Sequence, residues 1–109
     1  MSRFTITLVH GSAEDTEAVI GFDLPLQTYF LQGFPFELND YTHWKIWLGT
    51  DFQEYREIQD LVKAVRAKGY EFHGLSEQQM EQMLEEAQRP MALRPGLRFV
   101  LRERNDEIR

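Results

Sequence analysis

The sequence predicts an α+β fold, with a single domain built on a mainly antiparallel sheet of four to six strands and two helices packed on one face. Two observations lead to this prediction. Before Gly49, short segments alternate apolar and polar residues with period two, which is typical of strands with one buried face. After Gly49, apolar residues recur at every third or fourth position, as they do along the buried side of a helix.

Three strands are predicted in the first third of the chain. Residues 4–9 alternate regularly and are rich in β-branched side chains, and residues 18–23 form a short apolar run. Pro25 favours a turn, because proline fixes φ and cannot donate to a central ladder. Residues 27–34 then return as a third strand. Residues 10–17 are predicted to be a polar connection because they contain an acidic run.

A loop and a fourth strand are predicted next. Residues 35–43 include the turn-forming pair Asn39-Asp40 and are expected to be a loop, followed by a strand over residues 44–49. Alternation along this strand puts Trp44 on one face with Ile46 and Leu48. The same alternation puts Trp47 on the opposite face.

The first helix is predicted to begin at residue 50 and to end at Gly69. Thr50 and Gln53 have the spacing of a capping box, and glycine is a common helix stop. Five apolar residues at helical spacing define its buried side: Tyr55, Ile58, Leu61, Val62 and Val65.

A short strand over residues 70–73 and a second helix are predicted after Gly69. Ser76 and Gln79 form another capping box, and Leu75 is placed to contact Met80 across the helix start. Pro90 closes this segment. Residues 97–104 fit both strand and helix periodicity, and Gly96 and the Phe99-Val100 pair favour a strand.

Length and composition limit the class of protein. A chain of 109 residues fits one domain, and the absence of cysteine excludes a disulfide framework and a thiol nucleophile. No apolar run approaches the ~20 residues of a membrane span, and the start lacks the apolar core of a signal peptide. We therefore expect a soluble, cytoplasmic protein without a membrane contact.

Charge is distributed unevenly along the chain. Residues 1–88 hold 6 basic and 15 acidic residues, a net charge of −9, whereas the arginine-rich residues 89–109 hold 6 and 3, a net charge of +3. This pattern argues against direct nucleic-acid binding, because phosphate recognition needs a concentrated basic face. The basic end is expected to remain in solvent or to contact an acidic surface, including that of a second copy.

Motifs for catalysis, metal binding and cofactors are missing from the sequence. The three serines are Ser2, Ser12 and Ser76, and none has the flanking glycines of a nucleophile elbow. The three histidines are His10, His43 and His73, which are too far apart in sequence for a recognisable metal motif. We therefore expect no catalytic residue, no metal ligand and no cofactor, and an enzyme is the less favoured class.

Aromatic residues are concentrated in one part of the chain. Ten of the 14 lie between residues 22 and 55. In the third strand, Tyr29 is predicted to point to one face while Phe30 and Phe34 point to the other. If helices cover a single face, aromatic side chains on the other face are available for binding, and such side chains are enriched at interface centres. The candidate interface residues are Tyr29, Phe30, Phe34, His43, Trp44, Trp47 and His73.

Three functional hypotheses follow. The first is a non-catalytic interaction or regulatory protein that binds a protein partner or forms a homodimer through an aromatic sheet face. The second is a small-molecule binder or small enzyme with Tyr29, Trp47, His43 and His73 around a pocket between sheet and helices. The third is an acidic mimic of nucleic acid, which requires its carboxylates to be arrayed on one face.

Overall fold

A computed structural model of the chain describes residues 2–89, which form one compact α+β domain. The elements in chain order are β1 (Ser2–His10), β2 (Ala13–Asp23), β3 (Thr28–Leu38), β4 (Tyr41–Leu48), α1 (Ile58–Ala67), β5 (Glu71–His73) and α2 (Glu77–Ala87). The strands form one antiparallel sheet in the order β4-β3-β2-β1-β5, so the predicted fold class is confirmed. The prediction for residues 97–104, and all but the first residue of the arginine-rich segment 89–109, lie outside the described residues.

The first hairpin is longer than the sequence predicts. β1 and β2 remain paired as far as His10 and Ala13, and Gly11 turns the chain with a φ of 63°. The predicted polar connection over residues 10–17 is therefore wrong, because most of it belongs to β2. Exposed strand positions accept charged side chains, and residues 13–17 are exposed or half-buried.

The second hairpin replaces the predicted loop over residues 35–43. Asn39 and Asp40 form a two-residue turn with φ angles of 55° and 68°, as turns of this length require. β3 and β4 pair on both sides of the turn, from Leu38 opposite Tyr41 back to Leu31 opposite Leu48. Pro35 is tolerated in β3 because β2 stops pairing with β3 at Gln32, so no ladder bond from residue 35 towards β2 is lost.

Helix α1 begins later than predicted, and the proposed capping box at Thr50 is wrong. Residues 50–57 form an irregular connection in which Glu54 Oε1 accepts hydrogen bonds from the Thr50 and Asp51 backbone N–H groups. The Tyr55 N–H donates to the buried Thr28 hydroxyl at 2.7 Å, which ties this connection to the start of β3. The predicted apolar stripe survives from Ile58 onward, but Tyr55 precedes the helix.

The end of the described chain agrees with the sequence prediction. β5 forms at residues 71–73, and α2 begins with a complete capping box: the Gln79 N–H donates to Ser76 Oγ, and Gln79 Oε1 accepts from the Ser76 N–H. Leu75 and Met80 both pack against the core, as their predicted contact requires. With ten and eleven residues, α1 and α2 are too short to cross a membrane, and residues 2–89 contain no other helix.

The hydrophobic core lies between one face of the sheet and the two helices. We call this face the helix side and the opposite face the outer face. Leu61 and Val65 of α1 and Met83 of α2 are fully buried against it. The buried strand residues of the helix side are Ile6, Leu8, Ala18, Ile20, Phe22, Tyr29, Leu31, Ile46 and Leu48.

Alanine substitutions at Gly49 and Gly11 together test the path of the chain where it leaves β4. Both have positive φ, of 83° and 63°, but a Cβ atom at Gly49 would lie 2.1 Å from the Tyr29 carbonyl oxygen, whereas one at Gly11 would meet nothing within 4 Å. We expect Gly11→Ala to lower the free energy of unfolding by about 1 kcal/mol through backbone strain alone. Gly49→Ala should lower it by about 3 kcal/mol or more, because the clash adds to the strain. Urea denaturation measures both values, and equal losses would contradict the described path of the chain.

Candidate protein-interaction surface

The outer face of the sheet bears two tryptophans that no described helix covers. The Trp44 and Trp47 rings meet edge to face, with centroids 5.0 Å apart and an interplanar angle of 65°. Trp47 is 51% exposed, as expected for a residue that alternates with the buried Ile46 and Leu48. Edge-to-face pairs hold aromatic rings in a defined orientation, so this pair is a pre-ordered apolar surface.

A groove of about 440 Å³ runs beside Trp47 on the outer face. Its floor includes the Phe30 ring, which is only 6% exposed because it lies over Gly21 and beneath Arg3. The Arg3 guanidinium carbon is 5.7 Å from the Phe30 ring centroid, a cation–π distance. The groove is completed by Asp23, Leu26, Gln32, Gly49 and Thr50.

The end of the second hairpin that carries the turn extends beyond Gln32, the last residue of β3 that pairs with β2. We call residues 35–44 the ribbon. Three of its large apolar side chains, Phe36, Leu38 and Tyr41, are between 40 and 71% exposed. The rings of Phe36 and His43 stack with centroids 5.6 Å apart, and on the other face the Thr42 hydroxyl donates to Glu37 at 2.9 Å. Near its turn, the ribbon therefore has one aromatic face and one polar face.

The alternation of faces breaks where the ribbon joins the sheet. Phe34 has a φ of 55°, and its N–H donates to Asp15 Oδ2 at 2.7 Å. This backbone conformation turns the Phe34 ring towards the helix side, where it lies 5.7 Å from the ring of the buried Tyr70. The prediction that Phe34 shares a face with Phe30 is therefore wrong.

The same break places the Trp44 side chain on the face of the sheet opposite to the predicted one. Alternation predicted Trp44 on the helix side with Ile46 and Leu48, but its ring contacts Trp47 and lines a cleft with Val19 and Gln32 of the outer face. Trp44 therefore lies on the outer face, together with its strand partner Pro35. A sequence pattern cannot show this change, because it depends on one residue with positive φ in the neighbouring strand.

The remaining predicted residues do not join this surface. Tyr29 is 1% exposed in the core, where its ring meets Phe22 edge to face, and burial followed by the charge of Glu57 raises the pKa of its phenol. His43 lies on the ribbon in β4, and His73 lies in β5 at the opposite edge of the sheet. Four strand spacings separate these edges, roughly 19 Å. The idea that His43 and His73 come together is wrong.

Two serines and a tyrosine of residues 2–89 have structural roles. Ser2 Oγ accepts the Phe22 N–H, and Ser76 is used as a helix cap. The Tyr29 phenol is buried in the core, and burial raises its pKa further above neutral pH, so it is not a base there. Within this part of the chain, no three histidine or acidic side chains gather as metal ligands would.

The acidic residues of the described chain are spread over several elements. Glu14 and Asp15 lie in β2, Glu54 lies in the connection before α1, and Glu81 and Glu85 lie in α2. Asp15 and Glu54 accept backbone N–H groups, so they hold the local chain in place. These positions favour a structural role over an ordered array of charges.

Four residues of the ribbon and the groove were missed by the sequence prediction. Phe36, Leu38 and Tyr41 were assigned to a loop, although the pair Asn39-Asp40 between two aromatic segments was a signal for a hairpin. The sequence does not indicate that Arg3 belongs to the groove. Arg3 lies over Phe30 only because the pairing of β1 with β2 places it opposite Gly21.

Comparison with protein-family models, curated proteins and solved structures finds no match to this chain.

Trp47 and Phe30 differ in burial, so their replacement should affect stability differently. Trp47→Ala removes a half-exposed side chain, and we expect it to lower the free energy of unfolding by about 1 kcal/mol or less. Phe30→Ala removes a buried ring and should cost about 3 kcal/mol or more. Thermal or urea denaturation of the two variants measures the difference. A Trp47→Ala variant as unstable as Phe30→Ala would contradict the exposed position of Trp47.

Proposed function

We propose that the protein is a non-catalytic interaction module that binds an extended segment of a partner protein in the groove beside Trp47. The observation that carries this proposal is the Trp44–Trp47 pair, which is half-exposed on a sheet face that the described helices do not cover. Tryptophan is over-represented among the residues that dominate binding energy in protein interfaces. A large exposed apolar patch is uncommon in a protein that does not use it.

The groove favours a partner segment with a large apolar side chain next to a carboxylate. The Trp47 indole and the Phe30 ring provide the apolar wall. Arg3 makes no ion pair within residues 2–89, and its guanidinium remains exposed above Phe30. Asp23, the acidic residue of the groove, accepts the Leu26 N–H at 3.1 Å. Arg3 is therefore the group that selects an acidic partner residue.

Shape also favours a peptide over a small molecule. Ligand pockets usually enclose most of a small ligand, whereas this groove opens broadly on the sheet surface. The four residues expected around a small-molecule pocket are distributed among the core, the outer face, the ribbon and the far sheet edge. An extended peptide needs only an open groove with anchoring side chains.

A peptide-display selection tests the proposal directly. The wild-type protein is used to select from a random peptide library, and Trp47→Ala is used for counter-selection. We expect the enriched peptides to combine an aromatic or aliphatic residue with Asp or Glu. Trp47→Ala should weaken the binding of such a peptide about thirtyfold, the effect of removing ~2 kcal/mol. Arg3→Gln should weaken acidic peptides more than their amide analogues.

Thr5→Ala is the matched control for this experiment. Thr5 is exposed on the outer face in β1 but does not line the groove, so its replacement should leave peptide affinity unchanged. Circular dichroism melting checks that all variants are folded. A library that yields no peptide, or peptides that bind wild type and Trp47→Ala equally, would contradict the proposal.

A further inference from the structure

The two edges of the sheet differ in how they are protected. The β5 edge is three residues long, and its Glu71 side chain lies within ion-pair distance of Arg66. The β4 edge is eight residues long and contains a single Lys or Arg, Lys45, and no acidic residue or proline. Natural sheets usually shorten an edge strand or add charges and proline, because an open edge pairs with another strand. The β4 edge lacks most of this protection.

The hairpin geometry shows which backbone groups of β4 face the open edge. In a hairpin with a two-residue turn, the flanking residues Leu38 and Tyr41 exchange both backbone hydrogen bonds. Hydrogen-bonded and non-hydrogen-bonded pairs then alternate along the antiparallel ladder. His43 therefore bonds to β3, whereas the N–H and C=O groups of Thr42 and Trp44 point to the open edge.

This alternation ends at Phe34, whose N–H donates to Asp15 and not to β4. Beyond the break, the Tyr29 N–H donates away from β2, to the Tyr55 carbonyl. Leu31 and Leu48 therefore form a hydrogen-bonded pair, and the backbone groups of Trp47 also point to the open edge.

The break in alternation gives β4 a facial pattern that is the same in both directions. Ile46 and Leu48 are buried on the helix side, and Trp44 and Trp47 contact each other on the outer face. Alternation from these residues assigns the rest of the strand. Tyr41, His43, Ile46 and Leu48 lie on the helix side, Thr42, Trp44 and Trp47 lie on the outer face, and Lys45 lies at the break between the two alternating runs. Apart from Lys45, the pattern is therefore symmetric about the midpoint between Trp44 and Lys45.

Such a strand is complementary to itself. Two identical antiparallel strands in full overlap place residue 41 opposite 48, 42 opposite 47, 43 opposite 46 and 44 opposite 45. Opposite residues in an antiparallel pair must lie on the same face of the sheet. A regularly alternating strand of eight residues fails this condition in full overlap, because odd positions meet even ones. β4 meets it at the pairs 41–48, 42–47 and 43–46 because of the break at its centre.

We infer that β4 pairs with β4 of a second copy of this chain, in full overlap about a two-fold axis, so that the two sheets join into one of ten strands. This goes beyond the proposed peptide groove, which the pairing leaves open on the outer face. The two-fold contact is isologous, so every favourable contact occurs twice.

The side chains of β4 fit this pairing. Trp44 lies opposite Lys45 of the second copy, so the two lysines are diagonal to each other rather than directly opposite. Tyr41, which is 71% exposed, lies opposite Leu48 of the second copy. Trp47 lies opposite Thr42 of the second copy. The pairing therefore covers exposed apolar area on both copies.

A proline at position 42 tests the pairing directly. Thr42→Pro removes an N–H that points to the open edge and blocks that edge with the proline ring, while the bonds from Tyr41 and His43 to β3 remain. Size-exclusion chromatography with light scattering should give wild type a mass about twice 12.9 kDa at high micromolar concentration. Thr42→Pro should raise the dimer dissociation constant about tenfold or more.

Thr42→Val is the matched control, because it removes the hydroxyl bonded to Glu37 but retains the backbone N–H. It should remain dimeric. A monomeric wild type, or a dimer that persists in Thr42→Pro, would overturn the inference. Peptide binding in the groove should be retained in a monomeric Thr42→Pro, so failure of the dimer and failure of the proposed function give different results.

A cysteine at position 45 provides a second test that needs no proline. The natural chain has no cysteine, so a single variant reports one position. The two-fold axis places the two residues 45 on the same face of the joined sheet, with Cα atoms about 6 Å apart, which is within disulfide range. Lys45→Cys should form a disulfide-linked dimer on mild oxidation, and the control Lys63→Cys on α1 should not. If Thr42→Pro fails to fold, absence of this cross-link overturns the inference.

Discussion

The structure depends on a mismatch between the size of the sheet and the size of the helices that cover it. α1 and α2 have ten and eleven residues and are each about 15–17 Å long. β3 has eleven residues and spans about 36 Å. The helices therefore cover only the middle of one face, where Leu61, Val65 and Met83 are buried. The outer face and the ribbon remain exposed because the described chain contains no third layer to cover them.

A second constraint acts through Phe34 and Asp15. The carboxylate of Asp15 accepts the Phe34 N–H, where β2 and β3 separate and no strand partner remains for that group. The bond stabilises a positive φ that an aromatic residue adopts only at a cost of about 1–2 kcal/mol. The gain is that the Phe34 ring joins the core beside Tyr70 while Trp44 moves to the outer face. The backbone conformation of Phe34 thus determines on which face of the sheet the Phe34 and Trp44 side chains lie.

This constraint also explains how far sequence analysis could go. Period-two alternation, the capping box at Ser76 and the apolar stripe from Ile58 to Val65 are local signals, and each predicted its element correctly. The Thr50–Gln53 capping box is just as local, but it failed because tertiary bonds from Thr28 and Glu54 hold that segment in an irregular path. The position of Trp47 followed from its own strand. The positions of Phe34, Trp44 and Arg3 depended on neighbouring strands, so no pattern in their own segments revealed them.

The open β4 edge and the exposed outer face act together in the proposed dimer. A two-fold axis that joins two antiparallel edge strands in one sheet runs perpendicular to that sheet, so both outer faces look in the same direction. The two grooves beside Trp47 then lie on one continuous surface, with the two Trp44 side chains between them. A partner that displays two copies of the recognised segment would bind both grooves, and its second contact would form at a high effective concentration. Because each groove is open and shallow, one contact alone is expected to be weak. Pairing through β4 is therefore a physical route by which a small domain with a modest groove becomes a strong binder.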